Sequence, residues 1–220
     1  MNLYEQVKLP HKLNSPVILD LGANAGFEGK KMYDVFGPDA KVVFVEPLMS
    51  NMPAIVSNVF KWGMQDRSFI EHAAIFHSFG WECFNVTQEI HGQTFNGHVG
   101  FGYSGPLVVR SKLISDIAKD ANIIKVDIEG KEFVILPELV RNPTVQILFV
   151  ELHFNPPGYP NFQTYIEELL AGTQFVATGW FGCSQEQHSA VDNYYAIPPV
   201  ETIGQWGKVP PPYVVIERRE

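Results

Sequence analysis

The sequence predicts a doubly wound α/β domain, a mostly parallel sheet with helices on both faces. Three observations carry this expectation. Short, continuous apolar runs recur along the chain, as strands buried on both faces require. Stretches of helical pattern lie between them. The first run also ends in a Gly-rich turn that opens a helix, the place where such sheets bind ligands.

Residues 17–21 (Val-Ile-Leu-Asp-Leu) form the first strand. Residues 27–36 suit a helix, stopped by Gly37-Pro38. Residues 42–46 (Val-Val-Phe-Val-Glu) form the second strand, which Pro47 ends. Further strands are expected at 68–76, 123–128, 145–152, 174–178 and 193–197, and helices at 131–141 and 161–171. The stretch 80–110 holds Gly92, Gly97, Gly100, Gly102 and Gly105 among polar and aromatic residues. It reads as a loop insertion, irregular or a β-ribbon, and as a candidate lid or substrate loop. Residues 198–220 carry Pro198, Pro199, Pro210, Pro211 and Pro212 and read as an extended tail. A length of 220 residues fits a single domain, 1–220.

Composition narrows the function. Hydrophobic residues make up 45% and charged residues 18%, as in ordinary globular proteins. A net charge of -8 disfavours nucleic acid as a partner, because phosphate binding needs a basic surface. No apolar run approaches the roughly 18–20 residues that span a bilayer, and the N-terminus lacks a signal-peptide core. Two cysteines, Cys83 and Cys183, read as reduced thiols. The expectation is a cytoplasmic protein with no membrane partner; its oligomeric state is not indicated.

Three segments carry chemistry. The first is the turn Asp20-Leu21-Gly22-Ala23-Asn24-Ala25-Gly26. Gly22 and Gly26 allow a sharp turn and a close backbone approach to a ligand. The dinucleotide fingerprint wants a further glycine where Asn24 stands, so a pyrophosphate is poorly served. A ligand with a cationic sulfonium and an amino-acid end is better served, and Asp20 at the strand end can orient its amino group. Second, Glu46 ends its strand where an acid can accept hydrogen bonds from ribose hydroxyls; the plainer alternative is a strand-end cap. Third, Lys125, Asp127 and Glu129 alternate and so share one face of a strand end, either as a site or as a salt-bridged terminus.

These segments, with Phe44-Val45-Glu46-Pro47 and Lys125-Val126-Asp127-Ile128-Glu129-Gly130-Lys131-Glu132, resemble the FkbM-type methyltransferases from about Val17 to His153. The resemblance implies a class I methyltransferase (Rossmann-like) fold of seven strands with S-adenosyl-L-methionine as cofactor. The methyl group would pass to a hydroxyl oxygen of a sugar or small natural product, a small-molecule or glycan acceptor. It implies Asp20, Gly22, Asn24 and Gly26 at the methionine end, Glu46 on the ribose, Ala73 and Ala74 beside the adenine, and Asp127 near the methyl group. It also places the strand near 193–197 antiparallel, at or next to the sheet edge. Where a small hydroxyl residue is expected after the turn, Glu28-Gly29 stands, which leaves the helix cap unassigned.

A hydroxyl acceptor needs a base or a metal. The candidate bases are Asp127, Glu129, Glu151 and His153. Glu151 and His153 share a face at the end of an apolar strand, and the near-neutral intrinsic pKa of histidine favours His153. A histidine bonded to a loop carbonyl is the equal alternative. His72, His77, His91 and His98 are scattered without ligand spacing, so no metal site is expected. The rival functions are a nicotinamide-dependent (NAD-binding) oxidoreductase and a catalytically silent cofactor-binding module.

Overall fold

A computed structural model describes residues 3–7, 13–90, 93–99, 107–153, 158–182, 195–196 and 213–219. Its main sheet contains β1 (Val17–Leu21), β2 (Lys41–Glu46), β3 (Ser68–His72), β8 (Ile123–Val126), β9 (Ile147–Glu151), β10 (Phe175–Gly182), β11 (Tyr195–Ala196) and β12 (Tyr213–Arg218). The spatial order is β11-β10-β12-β9-β8-β1-β2-β3. Strands β3, β2, β1, β8 and β9 run parallel. The strand β12 is antiparallel to both β9 and β10, and the two-residue β11 pairs antiparallel with β10 at the edge. Without β11 the sheet has seven strands, as expected.

Alternation along the strands sends residues to two apolar layers. Leu19, Leu21, Ile124, Val126, Leu148, Val150, Val214 and Ile216 face one layer. There they pack with Ile135, Leu136 and Leu139 of α4 (Glu132–Leu139) and Ile166 and Leu170 of α5 (Phe162–Leu170). Ile18, Val42, Phe44, Ile123, Ile147, Phe149 and Val215 face the other. That layer is covered by Met32 of α1 (Phe27–Phe36) and Ile55 and Val59 of α2 (Met52–Lys61). A 3-10 turn at Leu3–Gln6 adds Leu3 and Tyr4, whose ring meets Phe149 edge-on at 4.7 Å. The cap of α5 is local: the Asn161 Oδ1 accepts from the Thr164 N–H at 2.9 Å. Asn161→Ala should therefore cost about 1 kcal/mol, read as a lower urea midpoint at unchanged slope.

Two parts differ from the sequence reading, and a third falls to one of its two alternatives. The run 68–76 breaks at Ala73; β4 (Ala74–Phe76) leaves the main sheet and pairs parallel with β7 (Leu107–Leu113). Within the stretch 80–110 the described residues take the β-ribbon alternative: β5 (Gly80–Ile90) pairs antiparallel with β6 (Gln93–Val99) and with β7. A short helix, α3 (Ile114–Ile117), then returns the chain to β8. The tail is also corrected. Tyr213–Arg218 is a sheet strand, and residues 213–216 are buried, because the run Tyr-Val-Val-Ile fills the gap between β9 and β10. Residues 198–212, Cys183 and His91 lie outside the described residues. No helix among the described residues is long and apolar enough to cross a membrane.

Candidate functional site

The site grows from the turn after β1. The Gly22 and Ala23 N–H groups both donate to the Val45 carbonyl at 3.0 Å, which tucks the turn under the end of β2. Gly22 has φ +74, and a Cβ there would stand 1.8 Å from the Asp127 carbonyl oxygen. Only glycine lets β1's turn pass the end of β8 this closely.

Asp20 is fully buried and turned away from the cavity. Its Oδ2 accepts from the Gly29 N–H at 2.8 Å, so β1 supplies the acceptor that α1 lacks at its own N-terminus. This answers the uncapped Glu28-Gly29: the cap comes from the strand beneath, and a Cβ at Gly29 would meet the Phe44 ring at 2.4 Å. Lys125 lies opposite Asp20 in the register. Its Nζ donates to the Gly22 carbonyl at 2.9 Å, pairs with Asp127 Oδ2 at 2.9 Å and approaches Asp20 Oδ1 at 3.4 Å. Burial pushes the Lys125 pKa down, but the charges of Asp127 and Asp20 outweigh it and hold the ammonium above its usual range. Burial raises the Asp20 carboxyl.

Glu46, 4% exposed, is the anchor of the second wall. Oε2 accepts from the Asn24 N–H at 2.8 Å; Oε1 accepts from the Leu48 N–H at 2.9 Å and Asn51 Nδ2 at 3.2 Å. Burial raises its pKa, and these three donors oppose the rise. A carboxylate has about four lone-pair sites, so roughly one is left for a further donor. Two ribose hydroxyls can be held together only if Asn51 turns away.

A cavity opens where these strand ends meet. It is lined by Gly22, Asn24, Val45, Glu46, Pro47, Leu48, Asn51, Ala73, Ala74, Ile75, Phe76, Glu82, Asp127, Ile128, Glu129 and Lys131. Gly22, Asn24, Glu46, Ala73, Ala74 and Asp127 are thus brought together, while Asp20 and Gly26 stay outside the lining. Asn24 and Glu129 have φ +50 and +56, two of the three non-glycine residues in that region among those described. Such backbone is retained where neighbours hold it, often beside ligands. The Asn24 Oδ1 is buried with no hydrogen-bond partner. Sequence reasoning missed Glu82, contributed by the ribbon, and Lys131, whose ammonium lies 4.7 Å from the Phe76 ring centre. Lys131 was visible within the third motif; Glu82 had no signal, since its approach depends on the β4–β7–β5 pairing.

Beside the cavity a second group gathers around His153. Its Nδ1 lies 3.0 Å from Glu132 Oε1, which also accepts from the Ile128 and Gly130 N–H groups. Its Nε2 lies 3.4 Å from Glu129 Oε2, 3.6 Å from Asp127 Oδ1 and 3.8 Å from Glu151 Oε1. Burial pulls the imidazole pKa down, but the Glu132 hydrogen bond and the surrounding carboxylates push it up to about 10. The surrounding acids thus favour the protonated form of the imidazole. Burial raises Glu129 to about 7, and burial with the Asp127 charge raises Glu151 to about 8. Burial would also raise Asp127, but Lys125 and His153 hold it below the usual carboxylate range. The Tyr213 hydroxyl donates to Glu151 Oε2.

No family model matches the sequence, and no curated protein matches it. Among solved structures the chain is similar to an FkbM methyltransferase from Methylobacillus flagellatus (TM-score 0.55, 14% identity), which covers 96% of this chain and 47% of that one. This chain therefore spans about half the length of that protein. It is also similar to a provisionally assigned rRNA methylase from Clostridium thermocellum (TM-score 0.50, 10% identity; 94% and 88% covered). At such identities the likeness is one of fold. The mostly parallel seven-stranded sheet flanked by helices is a Rossmann-like class I methyltransferase fold.

Proposed function

We propose that this chain is an S-adenosyl-L-methionine-dependent methyltransferase of FkbM type, transferring a methyl group to a hydroxyl oxygen of a sugar or small natural product. The observation that carries the reading is the charge and polarity of the cavity. Among the described residues, Glu46, Glu82, Asp127 and Glu129 line it against one cation, Lys131. A dinucleotide brings a pyrophosphate, which this lining repels. A sulfonium with an ammonium group suits it, and the orphaned Asn24 Oδ1 is a ready acceptor for an N–H donor.

When bound, the cofactor supplies an electrophilic methyl carbon with a neutral thioether as leaving group. The chain's residues do the rest. The Gly22–Asn24 backbone brings the turn close to the donor's amino-acid end. Glu46 accepts from the ribose, and the small side chains Ala73 and Ala74 leave room for a flat base. Asp127 and Glu129, both in the cavity lining, orient the acceptor hydroxyl for in-line attack, and the carboxylate of one of them takes its proton as the methyl group transfers. The ribbon is assigned to substrate selection, with Glu82 touching the donor side.

Calorimetric titration with S-adenosylhomocysteine, S-adenosylmethionine and NAD tests the reading. The two sulfur ligands should bind and NAD should not. Binding of NAD alone would make the protein an oxidoreductase of similar sheet, and binding of none would end the cofactor reading. Given donor binding, failure of every hydroxylated acceptor in a methyl-transfer screen would leave a silent binding module.

A further inference from the structure

The group around His153 has a geometry that proton transfer alone does not require. Strands β8 and β9 are neighbours in register, Val126 opposite Val150, so Asp127 and Glu151 leave the sheet side by side. His153 follows on the same face. One ligand atom from each of Asp127, Glu151 and His153 falls within 4.8 Å of the others. We propose that these three residues bind a divalent first-row transition-metal ion at the acceptor side of the cavity.

The argument rests on how each side chain is tied. Asp127 has Oδ2 on Lys125 Nζ and turns Oδ1 toward His153. Glu151 has Oε2 on the Tyr213 hydroxyl and turns Oε1 toward His153. His153 has Nδ1 on Glu132 and turns Nε2 toward both oxygens, with Glu129 Oε2 also beside it at 3.4 Å. Each ligand is thus held at one atom by an outer group and presents the other to a common point. The separations from Nε2, 3.6 and 3.8 Å, are longer than good hydrogen bonds, which fall at about 2.7–3.2 Å. Bonds of about 2.0–2.2 Å to one ion put neighbouring ligand atoms roughly 3–3.5 Å apart, a small contraction from what is seen.

Glu132 is an independent pointer, because it lies outside the three. It is 2% exposed, and its Oε1 serves two backbone N–H groups as well as the imidazole. A buried carboxylate fixing the far nitrogen of a histidine is the outer partner that metal-binding histidines have. The four acidic side chains Asp127, Glu129, Glu132 and Glu151 converge on His153, and an ion would take the place of its Nε2 proton among them. Mixed imidazole and carboxylate donors favour ions such as Mn²⁺ or Zn²⁺, whereas Mg²⁺ and Ca²⁺ favour all-oxygen sites. The sequence reading weighed His72, His77, His91 and His98 as metal ligands and left His153 to the role of base.

The ion's task, which rests on the methyltransferase reading, is to bind the acceptor hydroxyl and make its proton easier to remove. Its existence can be tested without that reading. Chelator-treated full-length protein is titrated with Mn²⁺, and free ion is read from its six-line paramagnetic resonance signal. The signal should fall to a one-to-one endpoint, Zn²⁺ should restore it, and equimolar Mg²⁺ should not. His153→Gln and Glu151→Gln should each weaken binding by more than about tenfold, and Glu132→Gln by about 10–100-fold. Circular dichroism checks that each variant folds, and the near-isosteric Glu151→Gln covers a loss of fold in the others. A signal that stays that of free Mn²⁺ overturns the site. Binding equal in wild type and all three variants overturns it too, by placing the ion on other carboxylates. Calorimetry with S-adenosylhomocysteine on the same metal-free protein keeps the two readings apart, since donor binding without Mn²⁺ binding sinks only the metal site.

Discussion

Lys125→Met is expected to destabilise the fold by about 3–5 kcal/mol, the range for removing one partner of a buried ion pair. The ammonium, 2% exposed, ties two neighbouring strands together: it meets the Gly22 carbonyl after β1, Asp127 after β8 and Asp20 within β1. Methionine fills similar volume, so the loss is electrostatic rather than a cavity. Asp20, at 0% exposure, would keep only the Gly29 N–H, and its carboxyl, already raised by burial, would rise further and take up a proton. A chain of this size should then melt roughly 6–20 °C lower, taking about 2–4 °C per kcal/mol. The double variant Asp20→Asn/Lys125→Met separates this cause from a packing fault. Asparagine can still accept from the Gly29 N–H and leaves no buried charge, so the double variant should be more stable than Lys125→Met alone. If it is less stable, by the full sum of the two single losses, the buried pair is not what holds the turn.

This triad also shows what was legible in the sequence. Gly22, Asn24 and Glu46 were legible because each is local: one turn or one strand end sets its place. Asp20 was read at the end of β1, but its carboxylate accepts from the Gly29 N–H and approaches Lys125 rather than lining the cavity. Its neighbours on the same face, Gly29 and Lys125, come from elsewhere, and they claim the carboxylate for the fold. The surroundings of His153 were hidden for a similar reason. An isolated histidine titrates near neutrality, and only the tertiary arrangement brings Glu129, Glu132 and Glu151 around it. The strand Tyr213–Arg218 was hidden by its prolines, though Val214-Val215-Ile216 was a buried-strand signal. Its partners, Ile147–Glu151 and Phe175–Phe181, lie too far back in the chain for a local reading to find. Ala73 was read in mid-strand, and the break there only becomes necessary once β7 pulls β4 into a second sheet.

Glu46→Ala and Glu46→Gln should together separate a ligand contact from a loop anchor. In the alanine variant the Asn24 N–H, the Leu48 N–H and the Asn51 amide lose one acceptor side chain in a buried setting. Unsatisfied buried donors cost about 1–3 kcal/mol each, less where water enters the emptied space. Melting temperature should therefore fall even without ligand. Glutamine keeps the shape, but one of its two terminal atoms becomes an NH₂ facing a backbone N–H, Asn24 on one side or Leu48 on the other. It should lose stability too, by less than alanine. A ribose hydroxyl bonded to the carboxylate is worth about 1.5–3 kcal/mol, so S-adenosylhomocysteine affinity should drop about 10–150-fold in the alanine variant. In glutamine the drop depends on which atom faces the cavity. An amide oxygen there keeps most of the affinity, and an NH₂ keeps the bond by reversing its direction. Affinity should then track alanine more than glutamine, while stability falls in both. If both variants melt early yet bind S-adenosylhomocysteine as the parent does, Glu46 anchors the loops only, and the ribose must be held by another of the cavity's acids.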